Sequence, residues 1–322
     1  MTMTTRQGNF TFTSPSLYGT ADDDTYSGAL SFLRRRYTRD LTGVDVVVSG
    51  IAYDLGTSNR PGARFGPRAI RQASSHISWG PQWPYDFDPL HRLAVIDWGD
   101  HAFDFGYPER MVEAVERNVL GFLEAGCFPM TMGGDHFVTY PLLRAAAKHH
   151  GGGLSLIHFD AHHDTTPSRN LNHGTMFHHA VQEGLIDPAC SLHMGVRMHV
   201  DVDDGFHVID GWRIQRMAAE EVGRRIHDVV GDNKAYVTFD IDFLDPAYAP
   251  GTGTPIVGGP TTTLALDVLR QLSGLNLVGM DLVEVAPDYD VGEVTSLAGA
   301  SLMYQVLHVL AEGREPVAGS GS

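Results

Sequence analysis

Residues Leu154–Asp164 read "LSLIHFDAHHD": a short apolar run that ends in imidazoles and carboxylates. Runs of the same kind recur along the chain. They are "VDVVVSGIAYD" (Val44–Asp54), "RLAVIDWGD" (Arg92–Asp100), "FPMTMGGDH" (Phe128–His136), "HMGVR" (His193–Arg197), "AYVTFDIDFLDP" (Ala235–Pro246) and "NLVGMDLVEV" (Asn276–Val285). Longer stretches with helical patterning separate them, at Pro108–Ala125, Tyr140–His150, Ala218–Val230, Thr263–Ser273 and Thr295–Gly313. Short runs buried on both faces and alternating with helices read as βαβ units around one parallel sheet. No internal repeat or mid-chain linker interrupts this rhythm. The expected organisation is an irregular N-terminal arm over residues 1–40, a single α/β domain over 41–314 and a disordered tail over 315–322.

Composition narrows the function. The 322 residues are 43% hydrophobic and 19% charged, as in a globular protein. A formal net charge of −16 argues against nucleic acid, whose phosphates call for basic patches. The only cysteines, Cys127 and Cys190, cannot build a disulfide framework and suit a reducing compartment. The N-terminus has no apolar leader core, and no run of about 18 apolar residues is evident. The expectation is a cytoplasmic protein without membrane or nucleic-acid partners.

Polar residues gather where the apolar runs stop. Asp135 and His136 close one; Asp160, His162 and Asp164 close another; Asp240 and Asp242 close a third. Open parallel sheets bind ligands beyond the carboxyl ends of their strands. Residues i and i+2 of an extended chain point the same way, so these side chains can converge. A lone aspartate after a strand is ordinarily a cap or turn residue. Three such strand ends together point instead to metal. Mixed imidazole and carboxylate ligands suit a borderline divalent ion, and the carboxylates are too many for one. Two dications would neutralise them.

At these residues the chain resembles the ureohydrolase (arginase–agmatinase) family. The motifs that carry the resemblance are "GGDH", "FDAHHD" and "FDIDFLDP", followed by "APGTGTP". The likeness extends from "GTSNRPGARFGPRAIR" (Gly56–Arg71) to the C-terminal helix. "HGTMF", "EGLIDP" and "NLVGMDLVEVAPDYD" are similar to bacterial members acting on agmatine. The resemblance implies a three-layer α/β/α fold around a parallel sheet of about eight strands. It implies a homo-oligomer, a hexamer or trimer, and two Mn ions. His136 and Asp164 would serve one ion and His162 and Asp242 the other, with Asp160 and Asp240 bridging. Water activated between two dications would attack a guanidinium carbon and release urea and an amine. Asp164 would aim that water, Glu284 would bind the guanidinium, and His173 would carry a proton to the departing amine.

Other residues carry smaller expectations. Arg169, in the segment between Asp164 and His173, would reach the substrate's distal end or point to solvent. His163, a second histidine in "DAHHD", stands where relatives carry a small residue; it would support a carboxylate ligand or favour Ni over Mn. His158 would face structure. Pro260 stands where Leu is expected, on a loop bordering the site. "RPGARFGPRAIR" reads as a rim loop entering a helix, with no chemical group of its own. Agmatine, yielding putrescine, is the first choice of substrate. The alternatives are 4-guanidinobutyrate, 3-guanidinopropionate, guanidine, an N-alkylguanidine or a biguanide. A silent partner subunit, and more distantly a zinc deacetylase, are the readings outside this reaction.

Overall fold

The apolar runs become the strands of one parallel sheet in a computed structural model that describes residues 8–21, 23–104, 106–199 and 204–317. In chain order the strands are β1 (Arg36–Tyr37), β2 (Val46–Gly50), β3 (Val95–Asp100), β4 (Phe128–Met132), β5 (Ser155–Phe159), β6 (Leu192–Met194), β7 (His207–Ile209), β8 (Lys234–Asp240) and β9 (Asn276–Val283). They lie in the order β1-β3-β2-β4-β9-β8-β5-β6-β7. The helices are α1 (Phe10–Thr13), α2 (Gly66–Ser74), α3 (Pro108–Glu124), α4 (Thr139–His150), α5 (Met176–Gln182), α6 (Gly211–Ile214), α7 (Ala219–Val230), α8 (Thr262–Arg270) and α9 (Val294–Ala311). The sheet has nine strands, one more than the expected eight or so. Its two outermost strands, β1 and β7, are 2 and 3 residues long and mostly not buried, so they do not stand out as apolar runs.

Alternation along the strands builds two cores. Val46, Val48, Ile157, Phe159, Val237, Phe239, Met280 and Leu282 face one side, where they pack with Ile70 of α2, Val222 of α7, Val268 of α8 and Leu302 of α9. Val47, Leu156, Tyr236 and Val283 face the other, with Val115 of α3, Leu142 of α4 and Phe177 of α5. Helices therefore cover both faces, giving three layers. α9 is long and apolar enough by composition to cross a membrane, which no sequence run suggested. Of its hydrophobic window 78% is buried inside the fold, so it serves as a core helix.

Part of the expected N-terminal arm joins this core, while residues 1–7 lie outside the described residues. Phe32 and Leu33 are fully buried, and the Phe32 amide donates to Asp97 Oδ2 at 2.8 Å. The same carboxylate pairs with Arg71 of α2 at 2.8 Å. Pro67 occupies the first turn of α2, where its missing amide is not needed. Gly66 before it is required by packing: a Cβ would sit 2.7 Å from Val285 O. Of the tail, the Val317 amide donates to His91 O at 2.9 Å, and residues 318–322 lie outside the described residues.

Candidate metal centre

Four adjacent strands, β4, β9, β8 and β5, end side by side. Met132 pairs with Leu282, Asp240 with Val283, and Phe159 with Phe239, so their carboxyl ends are level. Each exit carries candidate side chains. Beyond β4, Gly134 lets the chain pass so close to Tyr53 O that a Cβ would lie 1.6 Å from it, and His136 follows in a short 3₁₀ turn. Asp135 caps that turn through the Phe137 amide and also accepts the Gly56 amide, so it serves the backbone. Beyond β5 come Asp160, His162 and Asp164; beyond β8, Asp242; beyond β9, Glu284. Asp164 and Glu284 hold left-handed backbones, φ 55° and 63°, at a cost of roughly 1–2 kcal/mol each.

These side chains converge. His136 Nδ1 lies 2.9 Å from Asp160 Oδ2, 3.1 Å from Asp164 Oδ2 and 3.2 Å from Asp240 Oδ2. His162 Nδ1 lies 3.2 Å from Asp160 Oδ1 and 3.1 Å from Asp242 Oδ2. Asp160 thus faces both imidazoles, one oxygen to each. Asp240 completes the first group and receives the Asp242 amide at 2.8 Å.

The residues fit divalent metal. His136 Nε2 meets Thr238 Oγ1 at 2.9 Å, and that hydroxyl donates onward to Asp281 Oδ1 at 2.6 Å. Tyr236 holds the other Asp281 oxygen at 3.0 Å. Because the Thr238 proton is committed to Asp281, Thr238 accepts from His136 Nε2–H. In the neutral ring Nδ1 is then a bare lone pair. It is buried, makes no properly directed hydrogen bond, and is ringed by carboxylates. That arrangement suits a cation held among them. The titration behaviour has the same cause. Burial pulls His162 down, but Asp242 and Asp160 outweigh it and carry it up to about 12. Burial and the neighbouring Asp160 charge push Asp242 up to about 6.

A second support runs beneath Asp160. His158 Nε2 lies 2.8 Å from Asp160 Oδ2, and His158 Nδ1 lies 2.6 Å from His193 Nδ1. Burial lowers the pKa of both rings, favouring neutral imidazoles. With Nε2–H given to Asp160, His158 Nδ1 accepts from His193 Nδ1–H. His158 is thus structural, but its structure is the orientation of a candidate ligand. His163 packs edge-on against His193, ring centroids 5.4 Å apart. It also lines a cavity of about 730 Å³ with Arg197 and Trp212.

His173 and Glu284 meet at the rim of the cluster. His173 Nδ1 is 3.1 Å from Glu284 Oε1, which also accepts the His136 amide at 2.9 Å. Glu284 Oε2 is buried with no hydrogen-bond partner. On its other side, His173 Nε2 meets Ser58 Oγ at 2.8 Å and the Ser58 amide at 3.1 Å. Burial opposes protonation of His173, yet Glu284, Asp164 and Asp135 carry it up to about 9. The Ser58 amide needs a lone pair on Nε2 and pulls the other way. Arg169 is exposed. Pro260 is buried, and its carbonyl accepts the Asp245 amide at 3.0 Å just before α8 begins. Ser58, Thr238, Asp281 and His193 escaped the sequence reading. Hydroxyls in a loop or strand, and polar residues inside a buried run, carry no spacing signal of their own.

The Arginase family model matches residues 44–309. An agmatinase of Chromobacterium violaceum is 48% identical over 294 residues, spanning 90% of this chain and 91% of its own length. A crystal structure described as a hypothetical agmatinase from Burkholderia thailandensis superposes with a TM-score of 0.93 at 47% identity, covering 95% of this chain and 98% of the other. Proclavaminate amidino hydrolase from Streptomyces clavuligerus gives 0.84 at 36% identity, covering 90% and 99%. The chain belongs to the arginase family.

Proposed function

We propose that this chain hydrolyses a guanidino compound to urea and an amine, and that the compound is agmatine, yielding putrescine. The observation that carries the reading is Glu284. Its Oε2 is buried and unpartnered beside a carboxylate–imidazole cluster suited to metal. A planar cation bearing N–H groups suits that oxygen well.

The proposed ligands are His136, Asp160, Asp164 and Asp240 for one ion and Asp160, His162, Asp240 and Asp242 for the other. Two divalent ions bound there would supply Lewis acidity and lower the pKa of water toward neutrality. The chain's own groups do the rest. Glu284 holds the guanidinium so that its carbon faces the cluster. Asp164 accepts a hydrogen bond from the attacking water and aims it. His173, fixed between Glu284 and Ser58, holds a proton at Nδ1 and delivers it to the departing amine as the tetrahedral carbon collapses.

Two findings favour agmatine. The Chromobacterium relative named agmatinase shares nearly half its residues with this chain. Arg169 is exposed, so the loop between Asp164 and His173 need not repel a distal ammonium. Mn as the native ion, with Ni as the alternative, belongs to the same proposal. So do a cytoplasmic setting and a homo-oligomer, a hexamer or trimer. The complete ligand set with Glu284 and His173 speaks against a silent partner subunit.

A panel of agmatine, 4-guanidinobutyrate, 3-guanidinopropionate, guanidine, an N-alkylguanidine and a biguanide, assayed for urea release, tests the reading. Agmatine should give the highest kcat/KM in the parent and in Arg169→Ala alike. Preference for a carboxylate-ended substrate that disappears in Arg169→Ala would overturn the choice of agmatine.

A further inference from the structure

The exit of β6 carries no candidate ligand, yet it is tied to the exits of β5 and β8. Gly195, at φ 94°, allows the approach: a Cβ there would lie 2.4 Å from Phe243 Cδ2 and 2.9 Å from Asp160 O. Arg197, just beyond it, grips both neighbours. Its amide donates at 2.9 Å to the carbonyl of Ala161, the residue between Asp160 and His162. Its guanidinium donates to main-chain carbonyls alone. Nη2 meets Asp242 O at 2.5 Å and Ile256 O at 2.9 Å, while Nη1 meets Phe243 O at 2.9 Å and Gly195 O at 3.2 Å. Asp242 and Phe243 belong to the short 3₁₀ turn Ile241–Phe243. The Asp242 carboxylate is held from the same directions, accepting the Ala161 amide at 3.1 Å and the Thr254 hydroxyl at 3.2 Å. The segments that carry His162 and Asp242 are thus joined through one residue outside the cluster. His136 is supported separately, through Thr238 and Asp281.

We propose that Arg197 is a positioning residue for one ion of the pair, the one served by His162 and Asp242, and that it acts by geometry and not by charge. This rests on the two-ion reading above. A guanidinium is a rigid planar fork of donors, so it can fix carbonyls from several segments at once, which an ammonium cannot. The charge itself works against the ions. Burial lowers the Arg197 pKa, while Asp242, Asp160, Asp245 and Asp240 oppose that shift, so the guanidinium and the cluster feel each other's charge. A cation so placed repels dications. Removing the charge alone would tighten metal binding, whereas losing the strap loosens it. The opposite signs make the two separable.

Calorimetric titration of the metal-free protein with Mn reads this without recourse to activity. In a His136→Ala background, which leaves the ion of His162 and Asp242, Arg197→Met should weaken Mn binding about 10–100-fold. In a His162→Ala background, which leaves the other ion, the same change should keep the affinity within about threefold. Arg197→Lys keeps the charge and most of the stem but cannot span the carbonyls. It should act in the same direction and with the same selectivity, and it carries the test if Arg197→Met does not fold. Unchanged or tighter binding in the His136→Ala background, or equal weakening in both backgrounds, would overturn the strap alone. A parent that takes up fewer than two Mn ions per chain would overturn the two-ion reading and the strap together.

Discussion

The same strands present two unlike faces. On one side of β5 and β8, Phe159 stacks on Phe239 with centroids 5.0 Å apart, and Phe243 meets Phe159 edge-on at 5.4 Å. On the other side, one residue away in sequence, stand His158 and Thr238, fully buried and tied to candidate ligands. The apolar face gains from burial in proportion to its area. The polar face gains little by being buried and must satisfy every donor and acceptor it carries. Stability and chemistry are thus divided between the two faces at the carboxyl ends of β5 and β8, while further back along the same strands Leu156 and Tyr236 make the second face an apolar core as well. Changes on the first should act on folding, and changes on the second on the site.

The division breaks if Phe159→Ala leaves the fold intact in stability. It should cost about 3–5 kcal/mol in denaturant unfolding while the Mn content of the folded fraction stays parental. On the site side the reverse is expected. His173→Asn should lower kcat roughly 10²-fold without loss of metal; loss of metal would make His173 a ligand. Asp281→Asn tests the support beneath His136. It should weaken metal affinity about 10–100-fold in a calorimetric titration, and unchanged affinity would remove Asp281 from the account.

Histidines sharpen the contrast at smaller scale. His162, among carboxylates, is carried up to about 12, whereas His308 on α9, packed against Tyr85, Phe87 and Tyr304, is pushed down to about 4 by burial. The folded value for His308 lies below its ordinary 6.5, so the unfolded chain takes up that proton first as pH falls. Its contribution to stability is complete above about pH 6.5 and declines by about 1.4 kcal/mol per pH unit down to about pH 4. His308→Phe should flatten the fall of Tm across that window, and an unaltered slope would contradict the assignment.

Much of the site could be read before folding because its residues stand just past the carboxyl ends of apolar runs, although turns, not strand alternation, bring them together: Asp242 lies in a 3₁₀ turn and Asp164 holds φ 55°. Asp160, His162 and Asp164, like Asp240 and Asp242, follow apolar runs at spacings that bring them to one end of a parallel sheet. What stayed hidden has physical reasons too. Thr238 and Asp281 sit inside buried runs, where one polar residue gives no sign of its partner on the next strand. Ser58 lies in a loop, where no periodicity fixes direction. Arg169 shows the same limit, since only the folded loop tells that it is exposed. β1 and β7 were missed because they are short and mostly not buried, unlike the equally short but buried β6, so neither reads as an apolar run. A lone histidine in a strand, His193, looks like any buried ring until His158 is found 2.6 Å away.

The central claim is that the level ends of β4, β8 and β5 build a centre for two divalent ions on which hydrolysis depends. Counting Mn per chain by elemental analysis, alongside urea release, in the parent and in Asp240→Asn tests it directly. The account predicts two ions per chain in the active parent. It also predicts fewer than two, with activity lower by about 10³-fold, in the variant. A single ion per fully active chain, with activity undiminished in Asp240→Asn, would contradict it.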